Sequence, residues 1–480
     1  MEKILITTPI YYVNDKPHIG HAYTTLAADV LARFFRAQNK DVFFLTGTDE
    51  HGAKVAEVAE KLGKKPQQIC DENSEIFKKV WTNLGIKYDY FIRTTEKRHE
   101  EAVKKFIEKL KDKKSIYEKE YQGLYCTACE KFLTEKDLID GLCPDHKKKP
   151  ESISEKNFFF KLTDFLGKIE KLIKKDKLKI EPERAKNEVL GLLKQGLEDF
   201  SISRQKERVK WGIDLPFDEN QIVYVWVDAL LNYYTGDGTD KFKEYWKNGR
   251  VIHLLAKDIL KFHAIFWPAM LLAAEENLPD TEFIHGFFTI NGQKMSKTLG
   301  NVIDPNNLVE KFGTDAARYI LLSQFPLTQD GDVKEERFVE KYNSDLANGL
   351  GNLVARILTM SVKNGINEAK ADKEIKEAIE KTKEEYGKNI EEFKFYEALE
   401  GIWKLIGFCD RYIEQNKPWE LAKTDKKKLE QVLSNLLYAL SEIANLIAPF
   451  LPETSEKIKE QIKGSLTSKT GKLDILFPRI

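Results

Sequence analysis

An α/β domain built on a Rossmann-type parallel sheet, split by an insertion and followed by an all-α bundle, is the fold class that this sequence predicts. Three observations carry it. Between Ile4 and Gly52 an apolar run, a helical run and a second apolar run follow one another, as in a strand–helix–strand unit. Buried-type apolar runs return after Ile222, beyond a stretch of different composition that holds clustered cysteines. From Asp345 onward the apolar spacing turns helical and stays so.

Bulk composition narrows the classes. At 480 residues the chain is long enough for roughly two to four domains. Basic and acidic residues balance at 77 each, so there is no global cationic field. An RNA partner would be held by local patches. A lysine- and glutamate-rich composition with only 4 methionines is the bias of heat-adapted proteins. The start of the chain lacks a secretory h-region, and no stretch reaches the apolar length of a membrane span. The most apolar late segment, Val432 to Leu451, is broken by Ser434, Asn435, Glu442 and Asn445. Five cysteines without a secretory signal predict a thiol-reducing cytoplasmic setting.

In the first unit, Ile4–Thr8 reads as a strand and Pro9–Pro17 as a turn-rich loop. Ala22–Gln38 is a helix, and Val42–Leu45 is a strand ending in Thr46–Gly52. Ligands of open parallel sheets sit outside the carboxyl ends of the strands, where both of these loops lie. His18 and His21 stand where the helix begins, and unpaired backbone N–H groups there favour anions. Imidazoles three residues apart share a helix face and can donate to the same phosphate oxygens. Gly20 between them lets a base or phosphate approach the backbone. The same tetrapeptide also suits a metal pair or plain polar helix-start residues. Glu57–Leu110 reads as amphipathic helices with turns near Gly63 and Gly85, where Ile76, Val80 and Leu84 are core.

Tyr121–Pro150 differs in kind. Cys126 and Cys129, then Cys143 and His146, form two halves with metal-ligand spacing. Four protein ligands leave no open coordination position, so the expected Zn2+, one per chain, is structural. Three unrelated thiols and a surface histidine are the alternative.

After Ile222 the second half of the sheet begins. Val223–Leu230 reads as a strand, with Tyr233 following at helical spacing, and Val251–Ala256 is another buried-type strand. It ends at Lys257-Asp258, before a helix Ile259–Leu272 that Pro268 kinks. Asp258 suits a ribose hydroxyl or a helix cap equally well. Asn291-Gly292 marks a tight turn that puts Lys294 and Lys297 at a loop tip. Two lysines around Ser296 can neutralise departing pyrophosphate, though an ordinary basic loop has the same composition. In the helical region Leu346, Leu350, Leu353, Val354 and Ile357 form one apolar stripe. Asn352 and Arg356 fall together on the opposite, solvent-facing side. Asn and Arg read base edges, and bases stack on aromatics such as Trp419, which begins a helix after Pro418. Polar helix faces are otherwise just solvated, and tryptophans otherwise core.

His18-Ile19-Gly20-His21 resembles the first signature of class I aminoacyl-tRNA synthetases, and Lys294-Met295-Ser296-Lys297-Thr298 resembles the second. Pro9–Asn14 and Gly47–Gly52 resemble blocks of the methionyl-tRNA synthetase family, and the match spans almost the whole chain. The resemblance implies activation of L-methionine with Mg2+-ATP to methionyl-adenylate. Transfer to a methionine-accepting tRNA, initiator tRNA included, then follows. By that match His18, His21, Lys294 and Lys297 are catalytic, and they bind ATP with Gly20 and Asp258. The methionine pocket is Ile10, Tyr12, Asp49, Trp226, Ala229, Leu230, Tyr233, Ile259, Phe262 and His263. Asp49 pairs with the substrate amine and His263 lies near the sulfur, a polarizable atom suited to aromatic walls. Homocysteine lacks one methyl, a difference worth only about 1–3 kcal/mol, so some editing is expected. Asn352, Arg356 and Trp419 match the positions that contact the CAU anticodon. Phe200 stands where many relatives have tryptophan, Thr298 where serine is usual, and His146 where many have cysteine.

The implied division is a first catalytic half at 1–115, a zinc-bearing insertion at 116–215 and a second catalytic half at 216–290. A stem-contact region at 291–345, an anticodon-binding bundle at 346–465 and a tail at 466–480 follow. The short tail suggests a monomer, with any further tRNA-binding domain on a separate subunit. Synthetases for Ile, Val and Leu need a larger editing insertion than Tyr121–Phe200 allows. A cysteine enzyme would place zinc ligands around the catalytic sheet, and a small nucleotidylyltransferase would lack the helical region. A non-catalytic RNA-binding protein would keep the helices without amino-acid-dependent pyrophosphate exchange.

Overall fold

Runs of aliphatic residues build a six-stranded parallel sheet from β1 (Lys3–Tyr12), β2 (Asp41–Asp49), β3 (Tyr90–Arg93), β4 (Lys179–Glu181), β5 (Arg250–Ala256) and β6 (Thr281–His285). The computed structural model describes residues 1–126, 131–133, 135–144, 147–295, 301–366, 368–467 and 474–480. Strand order is β3-β2-β1-β5-β6-β4, and every pairing is parallel. Consecutive residues of β1 and β5, such as Ile4–Thr8 and Val251–Leu255, are buried, so both faces of the sheet are covered. The strand order reverses at β1, which pairs with β2 on one side and β5 on the other; such a point is where open sheets bind ligands. Gly47 in β2 is required for packing, because a Cβ there would lie 2.0 Å from the Ile92 carbonyl oxygen of β3.

The chain divides into two units: residues 1–17, 39–79 and 87–285, and residues 18–38, 80–86 and 286–480. The first holds the parallel sheet. After β3 and the Lys97–Asp112 helix, strands Ile116–Cys126 and Glu151–Phe160 pair antiparallel from Ile116↔Phe160 to Tyr125↔Glu151. The edge strand β4 comes from within residues 116–215, the stretch read from the sequence as an insertion.

Three local readings change. β3 interrupts the helices expected over Glu57–Leu110, because a four-residue strand between Pro66–Asn83 and Lys97–Asp112 is too short to show a period. The apolar run at Val223–Leu230 is a strand only up to Val223, in a small antiparallel sheet, and Val225–Leu230 is helical. All of that helix except Trp226 is buried, and a helix buried on all sides has no polar face to betray its period. The helix expected at Ile259–Leu272 is built in three pieces: a 3-10 turn at Lys257–Ile259, a π turn at Phe262–Phe266 and an α-helix at Trp267–Ala273. Pro268 sits in the first turn of the last piece, where its missing N–H leaves no gap.

The second unit is mostly helical. Asn291 and Gly292 have φ of 53° and 71° and join Ile290 to Gln293, the two-residue hairpin that their sequence predicts. The expected apolar stripe is buried throughout: Leu346, Leu350, Leu353, Val354 and Ile357. No described helix is long and apolar enough to cross a membrane.

Arg318, in the helix Thr314–Leu322, is fully buried. It donates to Asp29 Oδ2 at 2.7 Å, to the Leu84 carbonyl at 3.0 Å, and to the Phe450 and Pro449 carbonyls at 2.7 and 2.8 Å. Removing one partner of a buried ion pair leaves the other charge without compensation. Arg318→Ala is therefore expected to cost about 3–5 kcal/mol, read as a lowered urea midpoint; a midpoint within error of wild type refutes that role.

Candidate active site

The histidine tetrapeptide is organised by its own backbone. Gly20 N–H donates to His18 Nδ1 at 3.0 Å, and His18 N–H donates to His21 Nδ1 at 3.1 Å. This is a capping box made of two imidazoles, and it pairs helix-start donors that would otherwise lack partners. The rings lie 3.9 Å apart, tilted by 31°. A backbone N–H only donates, so both Nδ1 atoms accept and each neutral ring carries its proton on Nε2. The pair is thus built as two N–H donors. Gly20 is fixed by the same geometry: a Cβ there would stand 2.7 Å from His18 Cε1.

The second signature meets this segment inside the same unit. Ile19 N–H donates to the Ile303 carbonyl at 3.1 Å, and a Cβ on Gly20 would lie 3.4 Å from Met295 Cε. Lys294 ends the hairpin strand Gln293–Lys294. Lys297 lies outside the described residues.

The expected pocket residues all belong to the first unit. Ile10, Tyr12, Trp226, Ile259 and Phe262 are partly buried against its core, while Ala229, Leu230, Tyr233 and His263 are buried. Tyr12 and Asp49 are register partners at the ends of β1 and β2. Trp226 stacks on Phe262 at 4.1 Å, Phe262 meets Phe266 edge-on at 5.3 Å, and Phe266 stacks on Phe200 at 4.2 Å. The π turn at Phe262–Phe266 carries both Phe262 and His263, and such wide turns gather at functional sites. His263 Nδ1–H donates to the Ile259 carbonyl at 3.0 Å, which leaves Nε2 to accept from the Tyr233 hydroxyl at 2.9 Å. Burial pushes this imidazole down to about 4, so it is neutral at pH 7. Asp258 is exposed in the 3-10 turn after β5.

Sequence reasoning missed the charged network beside the expected pocket residues. Asp228, on the helix that carries Trp226, accepts from His51 Nδ1 and His99 Nε2, both at 2.7 Å. His99 Nδ1 lies 2.8 Å from Thr235 Oγ1. All three charged or titratable groups are buried. Burial opposes the charged form of His51, but Asp228, Glu100 and Asp49 outweigh it and push the imidazole up to about 10. Nearby, Glu50 is buried and takes a bidentate pair from Arg93 at 2.7 and 3.0 Å. Glu50 and His51 lie within the Gly47–Gly52 block, and Asp228 lies within the run read as a strand at Val223–Leu230. Their pairing at separations such as 177 residues left no local signal.

Two other expectations meet the structure in part. Cys126 and Cys143 are buried together in one small cluster with Leu133, whereas Cys129 and His146 lie outside the described residues. Among the described residues no group of three His, Cys, Asp or Glu is arranged for a metal. In the bundle Asn352 and Trp419 are exposed. Arg356 is not on an open solvent face: it is half-buried and pairs with Asp410 at 3.3 Å and Glu414 at 2.6 Å. The neighbouring helix Phe395–Asn416 carries both carboxylates, which a single-helix projection cannot foresee.

Known proteins resemble this chain along its length. The family described as tRNA synthetases class I (M) matches residues 4–151 and 136–358, and the anticodon-binding domain of tRNA ligase matches residues 372–473. The methionine–tRNA ligase of Clostridium tetani is 45% identical over 99% of this chain and 78% of its own length. That of Thermotoga maritima is 42% identical over 96% of this chain and 75% of its own. The structure of Mycobacterium tuberculosis methionyl-tRNA synthetase in complex with methionyl-adenylate matches with a TM-score of 0.91 at 35% identity. It covers 100% of this chain and 99% of that one.

The His51–Asp228 pair has a pH signature. A folded-state imidazole held above its ordinary value of 6.5 contributes stability that is complete below that value and is lost as pH rises through about 10. Thermal midpoints measured from pH 7 to 10 should fall, and Asp228→Asn should remove part of that fall. Parallel profiles for the two proteins would contradict the pairing.

Proposed function

The chain belongs to the methionine–tRNA ligases, a family of class I tRNA synthetases, and on that premise we propose how it carries out the reaction and with which residues. A methionine carboxylate oxygen attacks the α-phosphorus of ATP. The bond to the β-phosphate oxygen breaks, giving methionyl-adenylate and pyrophosphate. A hydroxyl of the 3′-terminal adenosine of methionine-accepting tRNA, initiator tRNA included, then takes the methionyl group, and AMP leaves. Mg2+ bound with ATP supplies further neutralisation of phosphate charge. No residue need act as a covalent nucleophile; positioning and charge stabilisation suffice.

His18 and His21 donate from Nε2 to phosphate oxygens, and Lys294 and Lys297 neutralise the β- and γ-phosphates as pyrophosphate leaves. Gly20 gives the nucleotide access to the backbone, and Asp258 accepts from the ribose. Ile10, Tyr12, Trp226, Ala229, Leu230, Tyr233, Ile259 and Phe262 surround the methionine side chain. His263 is the neutral polar group near its sulfur, and Asp49 pairs with its ammonium. The observation that carries this reading is the meeting of the two signatures in one unit, where Ile19 N–H bonds Ile303 and Met295 lies by Gly20. Residues 1–115 and 216–290 serve as the catalytic halves, 291–345 as the stem-contact region and 346–465 as the anticodon reader. The setting is cytoplasmic.

Asn352, Arg356 and Trp419 read the anticodon. Supporting this, Trp419 is 45% exposed just after the buried Pro418, so an unstacked base can reach its face. Asp410 and Glu414 hold the Arg356 guanidinium in one orientation before RNA arrives. Cys126, Cys129, Cys143 and His146 hold a structural zinc that cross-links the two halves of the insertion. Support comes from the shared burial of the two described thiols.

Pyrophosphate exchange run with each amino acid in turn tests the reaction, and only methionine should sustain it. Lys297→Ala should slow exchange about 100-fold with little change in methionine KM. Equal losses would mean that the lysine binds substrate and transition state alike. Trp419→Ala should leave exchange intact and lower aminoacylation efficiency by roughly 5- to 150-fold, the worth of one stacked base; loss of both activities would remove it from the anticodon site.

Metal analysis should find one zinc per chain, and a chelator should unfold the insertion before the rest, seen by protease cleavage between residues 121 and 150. A metal-free protein of unchanged protease resistance rules the site out.

A further inference from the structure

Next to Tyr233 the first unit buries four side chains whose polar atoms have no partner among the described residues: His253 Nε2, both carboxyl oxygens of Glu282, Trp246 Nε1 and Trp267 Nε1. The three rings are contiguous. The Tyr233 ring lies 4.3 Å from His253 and 6.1 Å from Trp267, and Trp246 lies 6.4 Å from His253 and 5.9 Å from Trp267. Glu282 on β6 is the register partner of His253 on β5. Partners on neighbouring parallel strands project from the same face about 4.8 Å apart. His253 reaches across its other side to Thr7 on β1, with Nδ1 2.6 Å from Thr7 Oγ1. Native interiors very rarely leave so many polar atoms unpaired in one place, and a common explanation is a bond or trapped water that joins them.

We propose that Glu282 is a positioning residue of the amino-acid pocket, its carboxyl linked to His253 Nε2 through one trapped water. The inference rests on the reading of Tyr233 and His263 as methionine-pocket residues. That link fixes the protons in order. With Nε2 accepting, His253 must donate from Nδ1 to Thr7, so β1, β5 and β6 are tied in one line. The Tyr233 ring rests on that fixed imidazole, and its hydroxyl then points to His263 Nε2. Burial without a neighbouring cation holds the Glu282 carboxyl well above its usual range, and burial likewise holds His253 well below its own. Burial thus favours the neutral form of each, which gives the acid a proton to donate toward Nε2. An aliphatic residue would fill this sheet position without desolvating a carboxyl, so packing alone does not account for glutamate here.

Two variants decide the matter. Glu282→Gln keeps a neutral donor and acceptor, whereas Glu282→Leu keeps the volume and loses both. In methionine-dependent pyrophosphate exchange, Glu282→Leu should raise the KM for methionine about tenfold with the KM for ATP unchanged, and Glu282→Gln should restore it to within about twofold of wild type. Nitrogen-15 NMR of histidine-labelled protein should show His253 as the Nδ1–H form in wild type and Glu282→Gln, with Nε2 shifted in Glu282→Leu. An unshifted Nε2 in Glu282→Leu overturns the link. A shifted Nε2 with unchanged methionine KM, or a glutamine variant as impaired as the leucine one, overturns the positioning role. Absence of methionine-dependent exchange in the wild-type protein would instead refute the amino-acid reading, and the NMR result would still judge the link.

Discussion

The buried guanidinium of Arg318 is the constraint on which the second unit turns. Four of its bonds end on elements far apart in sequence: Asp29 in the Ile19–Ala37 helix, Leu84, Pro449 and Phe450. Three of the four end on main-chain carbonyls, and the charge itself is compensated by Asp29. The consequence for function is geometric. The Ile19–Ala37 helix carries the histidine pair on its first turn, and Arg318 stands in a helix that follows the second signature closely in sequence. Locking one helix to the other fixes the spacing at which Ile19 meets Ile303. A buried pair of this kind contributes little net stability over an apolar replacement, but it permits only one arrangement of the elements that it joins.

The first unit handles polarity in the opposite way. The walls proposed for its methionine site are rings and neutral groups, with His263 held neutral between the Ile259 carbonyl and the Tyr233 hydroxyl. Buried charge gathers beside them, where Asp228 bridges His51 and His99 and where Arg93 covers Glu50. This suits an unbranched, apolar, sulfur-bearing substrate. A cation beside the thioether would favour water over sulfur, whereas a neutral ring nitrogen and aromatic faces leave the site comparatively dry. The Asp228 bridge also ties the end of β2, next to Asp49, to the helix that carries Trp226, Ala229 and Leu230. The group proposed to take the substrate amine and the proposed walls are thus positioned by a common ion network.

What could be read from the sequence follows the range of the interactions involved. The parallel sheet, the Asn291-Gly292 hairpin and the stripe from Leu346 to Ile357 are local patterns, legible because period and turn chemistry are carried by neighbouring residues. β3 and the Val225–Leu230 helix were not legible: one is too short to show a period and the other is buried on every side. The site shows the same division. The histidine tetrapeptide and the lysine loop are contiguous motifs, whereas His51–Asp228, Arg356–Asp410 and Arg318–Asp29 join residues separated by 177, 54 and 289 positions. Neither periodicity nor spacing encodes such pairs; only the folded chain brings them together.

The tautomer of the histidine pair bears on a question that the tetrapeptide alone leaves open. A histidine pair at a helix start could bind a metal through two ring lone pairs or a phosphate through two ring N–H groups. Here both Nδ1 atoms are occupied as acceptors of backbone N–H groups, so each Nε2 carries the proton. Presenting a lone pair at Nε2 would require the proton to move to Nδ1, breaking a helix cap in each ring and leaving backbone donors without partners. Donating to a phosphate oxygen requires no such change. Helix capping therefore selects the tautomer, and that tautomer supports the proposed phosphate contact. In the proposed reaction the backbone of the first helical turn would thus contribute by setting which ring nitrogen carries the proton.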